Sequence, residues 1–230
     1  MRGALLAFLM WHCFIFGELS YQAPAFEVKT NAFLYTENFS LFKNGAGELI
    51  ASVNYVSPEN EILATKKVNF KSSRLAPVFE TIQYNKDLIE GVRYDGDELV
   101  LYREFISTQV REEKRVPIQD NVVADAGFHY FILQEWDALI SGTSIPIQFA
   151  LPNQLEVYPL LVKYKGQKQW EGRSVQSFEI VFGNVLFRWL VPPIRLRYDS
   201  ETKALLSFEG ISNLLFEEGQ RVVRLEMLYR

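Results

Sequence analysis

Apolar and polar residues alternate with a period of two through most of this chain. Between Phe33 and Phe105, Leu49, Ala51, Val53 and Tyr55 alternate with Ile50, Ser52 and Asn54, and Val68 and Phe70 alternate with Lys67, Asn69 and Lys71. That period gives each run one face for a core and one for water, as antiparallel strands have. The runs break at Asn44-Gly45-Ala46-Gly47, Ser57-Pro58-Glu59-Asn60, Asn85-Lys86-Asp87 and Asp95-Gly96-Asp97, where residues tolerant of turn dihedrals cluster. Asp95-Gly96 carries the strongest hairpin signal of the four. Strand rhythm returns at Ser144–Ala150, Leu155–Tyr164 and Val175–Phe182, and again where Ile194, Leu196 and Tyr198 alternate with Arg195 and Arg197. Lys203–Phe208 follows a turn at Asp199–Thr202, and a last strand sets Val223, Leu225, Met227 and Tyr229 against Arg224, Glu226 and Arg230. Val185–Val191 is apolar nearly throughout and suits a buried strand or a short helix; Pro192-Pro193 stops it.

One stretch has a different period. From Ala124 to Gly142, residues Phe128, Phe131, Ile132, Trp136, Leu139 and Ile140 recur at helical spacing, while His129, Asp137 and Ser141 fall elsewhere. The pattern predicts an amphipathic helix over 125–141. Asp125 is the expected N-cap and Gly142 the expected exit residue with positive φ. The charged run Arg111–Arg115, followed by Pro117, reads as part of a solvated connector from 111 to 121 leading into that helix. About ten strands are too many for a flat sheet. The expected fold is mainly β, α+β in class: a strongly curved antiparallel sheet, or a partial or closed β-barrel, with the helix packed on its concave side.

Composition changes this picture mostly at the N-terminus. Arg2, the 13-residue apolar run Ala4–Phe16 and then Ala23-Pro24-Ala25 have the layout of a Sec-type secretory signal. The run is short for a membrane span and is followed by polar sequence. The expected organisation is a signal peptide over 1–25 and a single β-rich domain over 26–230, exported to the periplasm. Cys13 is the single cysteine and lies within the apolar run, preceded by Met10-Trp11-His12 rather than by the small residues of a lipobox. Formal net charge is −4, with basic residues dispersed among acidic ones. No basic stripe is present to neutralise a run of phosphates, so nucleic acid is not an expected partner.

The residue inventory also narrows the chemistry. His129 is the single histidine after the signal, which removes multi-histidine and Cys/His metal sites. Asp125 lies four residues before it, a spacing at which the two could pair on one helix face and leave an imidazole nitrogen as a base. Glu135 and Asp137, two apart, diverge on a helix and do not form an acid/base pair. Ser40–Lys43 and Ser200–Lys203 both spell S-x-x-K, but the companion K-T-G triplet is missing. Glycine-rich phosphate loops and the G-x-S-x-G elbow are absent. No catalytic residue, metal site or cofactor is assigned.

Two patches, 126–152 and 192–214, carry a resemblance. Gly127-Phe128, Trp136-Asp137, Leu139, Gly142, Phe149 and Pro152 in the first, with Pro193-Ile194, Tyr198-Asp199, Leu205-Leu206, Gly210 and Ser212-Asn213 in the second, resemble an uncharacterised family of secreted proteobacterial β-rich proteins. The resemblance implies an envelope protein whose layout is similar to that of the LolA and LolB lipoprotein carriers. No functional residue of those carriers can be transferred, because no motif matches. A curved sheet wider than its helix leaves concave surface for a ligand. The expectation is binding or carriage of a lipid or other apolar molecule, lined by Phe128, Phe131, Ile132, Trp136, Leu139 and Trp189. The competing readings are a hydrolase or isomerase using His129, and a scaffold holding an envelope partner protein.

Overall fold

The period-two runs become strands of one sheet. The computed structural model describes residues 19–184, 191–217 and 219–229. Its first half holds β1 (Leu19–Glu27), β2 (Phe33–Lys43), β3 (Leu49–Val56), β4 (Ile62–Asn69), β5 (Val78–Gln83), β6 (Leu88–Asp95), β7 (Glu98–Phe105) and β8 (Val110–Pro117). A short strand β9 (Val122–Ala124) leads into helices α1 (Gly127–Gln134) and α2 (Trp136–Ile140). Then come β10 (Ile145–Leu151), β11 (Glu156–Trp170), β12 (Arg173–Phe182), β13 (Ile194–Asp199), β14 (Leu205–Ile211), β15 (Val222–Glu226) and β16 (Leu228–Tyr229). In space the order is β8-β7-β6-β5-β4-β3-β2-β1-β15-β14-β13-β12-β11-β10-β9, with β16 on β1. Neighbours are antiparallel except β9 and β10, which run parallel.

The sheet curls without closing: β8 and β9 end the path and do not pair. The two ends nevertheless approach. Lys114 of β8 reaches Glu156 of β11 at 2.6 Å, and Arg103 of β7 donates to the Asn153 carbonyl at 2.9 Å. The helices lie inside the curl. Trp136 and Leu139 of α2 pack with Phe131 and Ile132 of α1 against Phe178, Leu196 and Tyr198 of the second half. Trp136 sits 5.1 Å from the Phe178 ring and 5.7 Å from that of Tyr198. A second cluster, around Val68, Phe79, Leu101 and Val122, fills the interior of the first half.

Several expectations need correction. The sheet has sixteen described strands against the ten or so expected, and three of them, β8, β9 and β1, carry no alternating signal of the expected kind. β8 is the run 110–117, expected to be a connector; as an edge strand it is exposed on both faces, so no apolar phase marks it. Its charges discourage pairing with another chain, and they form a ladder of half-exposed ion pairs such as Arg93–Glu113 and Arg115–Asp95, each worth little. β9 has only three residues. β1 lies at the middle of the sheet, between β2 and β15, with Ala23 and Ala25 fully buried, and the expected domain boundary at residue 25 falls within it.

The helix is two pieces. Glu135 leaves helical geometry at φ −95°, ψ 14°, so a 3.6-residue period cannot be carried across it, and Ile140 turns outward at 40% exposure while His129 turns in. Gly142 does end the pair, at φ +98°. The Gly96-Asp97 turn joins β6 to β7 as a two-residue hairpin, with Asp95 paired to Glu98. The run Ala4–Phe16, Cys13, Trp189 and residues 185–190 lie outside the described residues.

Candidate functional site

Inside the curl, between α1 and the inner face of β1–β6 on one side and β10–β14 on the other, lies a cavity of about 650 Å³, within the range of small-molecule sites. Its walls are largely aromatic: Phe39 of β2, Phe70 and Phe79 around β4 and β5, Phe128 of α1, Phe149 of β10 and Phe208 of β14. The alternation that buries one face of each strand delivers these rings inward. Tyr21 stacks on Phe39 at 4.5 Å, and Phe128 lies 6.2 Å from Phe208.

One wall departs from that chemistry. Register pairing places Phe39, Val53, Lys66, Thr81 and Glu90 side by side across β2 to β6, on one face. Glu37 lies two residues along β2 from Phe39, on the same face. Lys66 and Glu90 are thus charged groups at interior positions, only 6% and 8% exposed, and Glu37 is 7% exposed. Asp125, in the turn between β9 and α1, completes the group by accepting a hydrogen bond from the Lys66 ammonium. All four residues line the cavity.

The electrostatics are uneven. Burial disfavours the Lys66 ammonium, but the Asp125 charge and hydrogen bond, helped by Glu37 and Glu90, outweigh it and hold its pKa above the usual lysine value. Lys66 Nζ also lies 5.6 Å from the Phe79 ring centre and 6.0 Å from that of Tyr55. Glu37 and Glu90 are each pushed up to about 7 by burial; Lys66 opposes the shift and Asp125 adds to it. Glu37 Oε1 and Glu90 Oε2 are buried with no hydrogen-bond partner, as is the Thr81 hydroxyl beside them. Unpartnered buried oxygens of this kind are costly, and clusters of them mark places where a polar group from elsewhere would be accepted.

The Lys66 pair also explains why Asp125 is not the N-cap. Its backbone adopts a left-handed φ of 45° and its carboxylate turns to the ammonium, a stronger partner than a helix-end N–H. Ala126 occupies the cap position, with no side-chain capping bond. The Asp125–His129 pair does not form either. His129 Nδ1 lies 3.3 Å from the Tyr198 hydroxyl, and its ring stacks on that of Tyr198 at 5.7 Å and 8°. Burial lowers its pKa to about 4. It lines the cavity as a neutral imidazole with no carboxylate behind it to orient or charge it. Ser40 is exposed on β2, and Ser200 bonds Ser174 and Gln176 rather than a lysine.

Of the residues expected to line a ligand site, Phe128 is at the wall of this cavity. Phe131, Ile132, Trp136 and Leu139 pack in the core beside the cavity. The charged group was not among the expected residues, although its signal is in the sequence: Tyr35-x-Glu37-x-Phe39, Ala64-x-Lys66-x-Val68 and Leu88-x-Glu90-x-Val92 each put one charge in the apolar phase of a strand. Among the described residues no three His, Cys, Asp or Glu side chains are grouped to hold a metal ion, and no helix is long and apolar enough to cross a membrane.

Fold and cavity together define a class: a β-rich protein whose curled, unclosed sheet encloses a helix pair and an aromatic cavity. No family model and no curated protein matches the sequence. Among solved structures, a β-barrel-like protein of a domain of unknown function from Brucella abortus is similar over 92% of this chain and 94% of its own, at 8% identity and a TM-score of 0.45.

Proposed function

We propose that this is an exported envelope protein that binds or carries a lipid or other apolar molecule inside its curled sheet. The cavity carries the reading: about 650 Å³ walled by aromatic rings from both halves of the fold. That is more apolar surface than a folded chain leaves around empty space without use. The N-terminal run Ala4–Phe16 supports export to the periplasm, and the sequence resemblance to secreted β-rich proteins with a carrier-like layout points the same way. The signal boundary in this reading lies ahead of Leu19, since β1 bridges the two halves of the sheet through β2 and β15. An enzyme centred on His129 is the weaker reading, because the imidazole lacks a carboxylate partner and burial disfavours its protonation. Expression of the full chain in a Gram-negative host, fractionation, N-terminal sequencing and mass spectrometry of an organic extract of the natively purified protein test the proposal. The expected result is a periplasmic chain starting upstream of Leu19 with a co-purifying apolar molecule. An empty extract with a stable protein partner on pull-down would favour the scaffold reading instead.

A further inference from the structure

We infer that the cavity is built for an amphiphile whose head group is a primary ammonium, accepted at the wall that carries the unpartnered carboxyls of Glu37 and Glu90. The inference rests on the proposed ligand-binding reading and names the chemistry of its ligand. Glu37 Oε1 and Glu90 Oε2 are almost fully buried, line the cavity and have no hydrogen-bond partner. Two acceptor oxygens are therefore waiting for donors. Lys66 donates to neither oxygen: its hydrogen bond goes to Asp125. With that pair neutral as a unit, the remaining fixed groups at this wall are two carboxyls, so the local potential favours a cation and opposes an anionic head. An ammonium supplies three N–H donors on a compact charge, enough to satisfy a carboxylate oxygen and still reach a second acceptor of the lining. The rest of the lining, Phe39, Phe79 and Phe128 among it, accepts a hydrocarbon tail. An acyl carboxylate or a phosphate head would have to displace Asp125 from Lys66 and then stand beside Glu37 and Glu90.

The groups facing these carboxyls set how binding changes with pH. Lys66 on β4 is held charged, and it donates its hydrogen bond to Asp125 ahead of α1. Tyr21 on β1, Tyr35 on β2 and Tyr55 on β3 have pKa values raised by burial and remain neutral. His129 on α1, at about 4, is neutral above mild acid. Arg103, opposite Glu90 on β7, is engaged by Glu112 and the Asn153 carbonyl. The charge that changes near neutrality is therefore that of Glu37 and Glu90.

The test uses the natively purified protein, delipidated, with the uncharged fluorophore N-phenyl-1-naphthylamine in the cavity and three competitors of equal chain length: decylamine, decanol and decanoate. At about pH 8, decylamine should displace the fluorophore at about tenfold lower concentration than either of the others. That advantage should shrink by about pH 5.5, where the carboxyls are neutral. Glu37→Gln and Glu90→Gln, made singly, should each weaken decylamine several-fold while leaving decanol unchanged, which also reports that the variant is folded. If a variant does not fold, the wild-type comparison still decides. Equal displacement by the three compounds, or preference for decanoate, overturns the ammonium assignment and leaves the apolar cavity standing. Failure of fluorophore and decanol alike to bind overturns the ligand-binding reading itself, and the head-group inference with it.

Discussion

Glu37 and Glu90 should make this protein lose stability as the pH rises through neutrality, the reverse of ordinary acid unfolding. Each carboxyl titrates at 4.5 in an unfolded chain and at about 7 in the fold. Between those values the unfolded state has released a proton that the folded state retains, so unfolding is favoured by increasing pH. Each group costs about 1.4 kcal/mol per pH unit over that window, or roughly 7 kcal/mol for the two together by its upper end. His129 works in the other direction. Its folded pKa of about 4 lies below the unfolded 6.5, so it contributes stability that is lost as pH falls through that interval, which offsets about 3 kcal/mol of the carboxyl effect between pH 4.5 and 6.5. The net expectation is a loss of about 4 kcal/mol from mildly acidic to mildly basic solution. Urea unfolding of the ligand-free protein at a series of pH values measures it. Glu37→Gln with Glu90→Gln should raise stability at about pH 8, change it little at about pH 5, and expose the opposite slope of His129 alone. A wild-type stability that is flat or rising across the window would show that these carboxyls are solvated or partnered, and the account of the charged wall would fail.

Two further substitutions separate the core from the cavity. Trp136→Ala removes a ring that is 5% exposed, packed on Phe178 and Tyr198 and covered by Lys203 at 4.9 Å, and should cost about 3–5 kcal/mol in urea unfolding. Asp137→Ala, at an exposed position, should change stability by less than about 0.5 kcal/mol. Because Trp136 packs outside the cavity lining, fluorophore affinity should survive its truncation under conditions where the variant is folded; a matching loss of affinity would mean the cavity reaches further under α2. Gly127→Ala places a Cβ 1.7 Å from the Leu75 carbonyl oxygen, a backbone atom that also accepts the Ala124 N–H. Neither side can give way cheaply, so this smallest of changes should destabilise by more than about 2 kcal/mol, and a neutral result in thermal unfolding would refute the close approach.

How far the sequence revealed this molecule depended on what each signal reports. Period-two alternation registers a strand with one buried face, so β2–β7 and β10–β15 were legible within a few residues. It is silent for β8, whose two faces are both wet, and for β9, which is shorter than the pattern. β1 was not read as a strand for a different reason: Ala23-Pro24-Ala25 resembles a processing site in composition, and small residues packed at the centre of a sheet look the same. Helical periodicity located Phe131, Ile132, Trp136 and Leu139 in the interior, but it equated facing inward with facing a ligand. Facing inward depends on the local chain alone; lining a cavity depends on how strands far apart in sequence come together. The charged wall combines both problems. Glu37 and Asp125, the first and last of the four, lie 88 positions apart in the chain, and no local spacing joins them with Lys66 and Glu90. What the sequence does contain is each exception by itself: a charge standing in the apolar phase of β2, of β4 and of β6. Those strands are separated in space by β3 and β5: short Thr81 stands between Lys66 and Glu90, while Glu37, one step along β2 from that row, stands opposite Tyr55. A lone charge at such a position would be expelled or neutralised. Three of them on alternate strands, with Asp125 supplied from the turn before α1, can be retained because they share one field, in which Lys66 lowers the cost of ionising each carboxyl and each carboxyl supports the ammonium. The same arithmetic leaves acceptors in excess of donors at this wall, and that excess is the observation on which the proposed ammonium site rests.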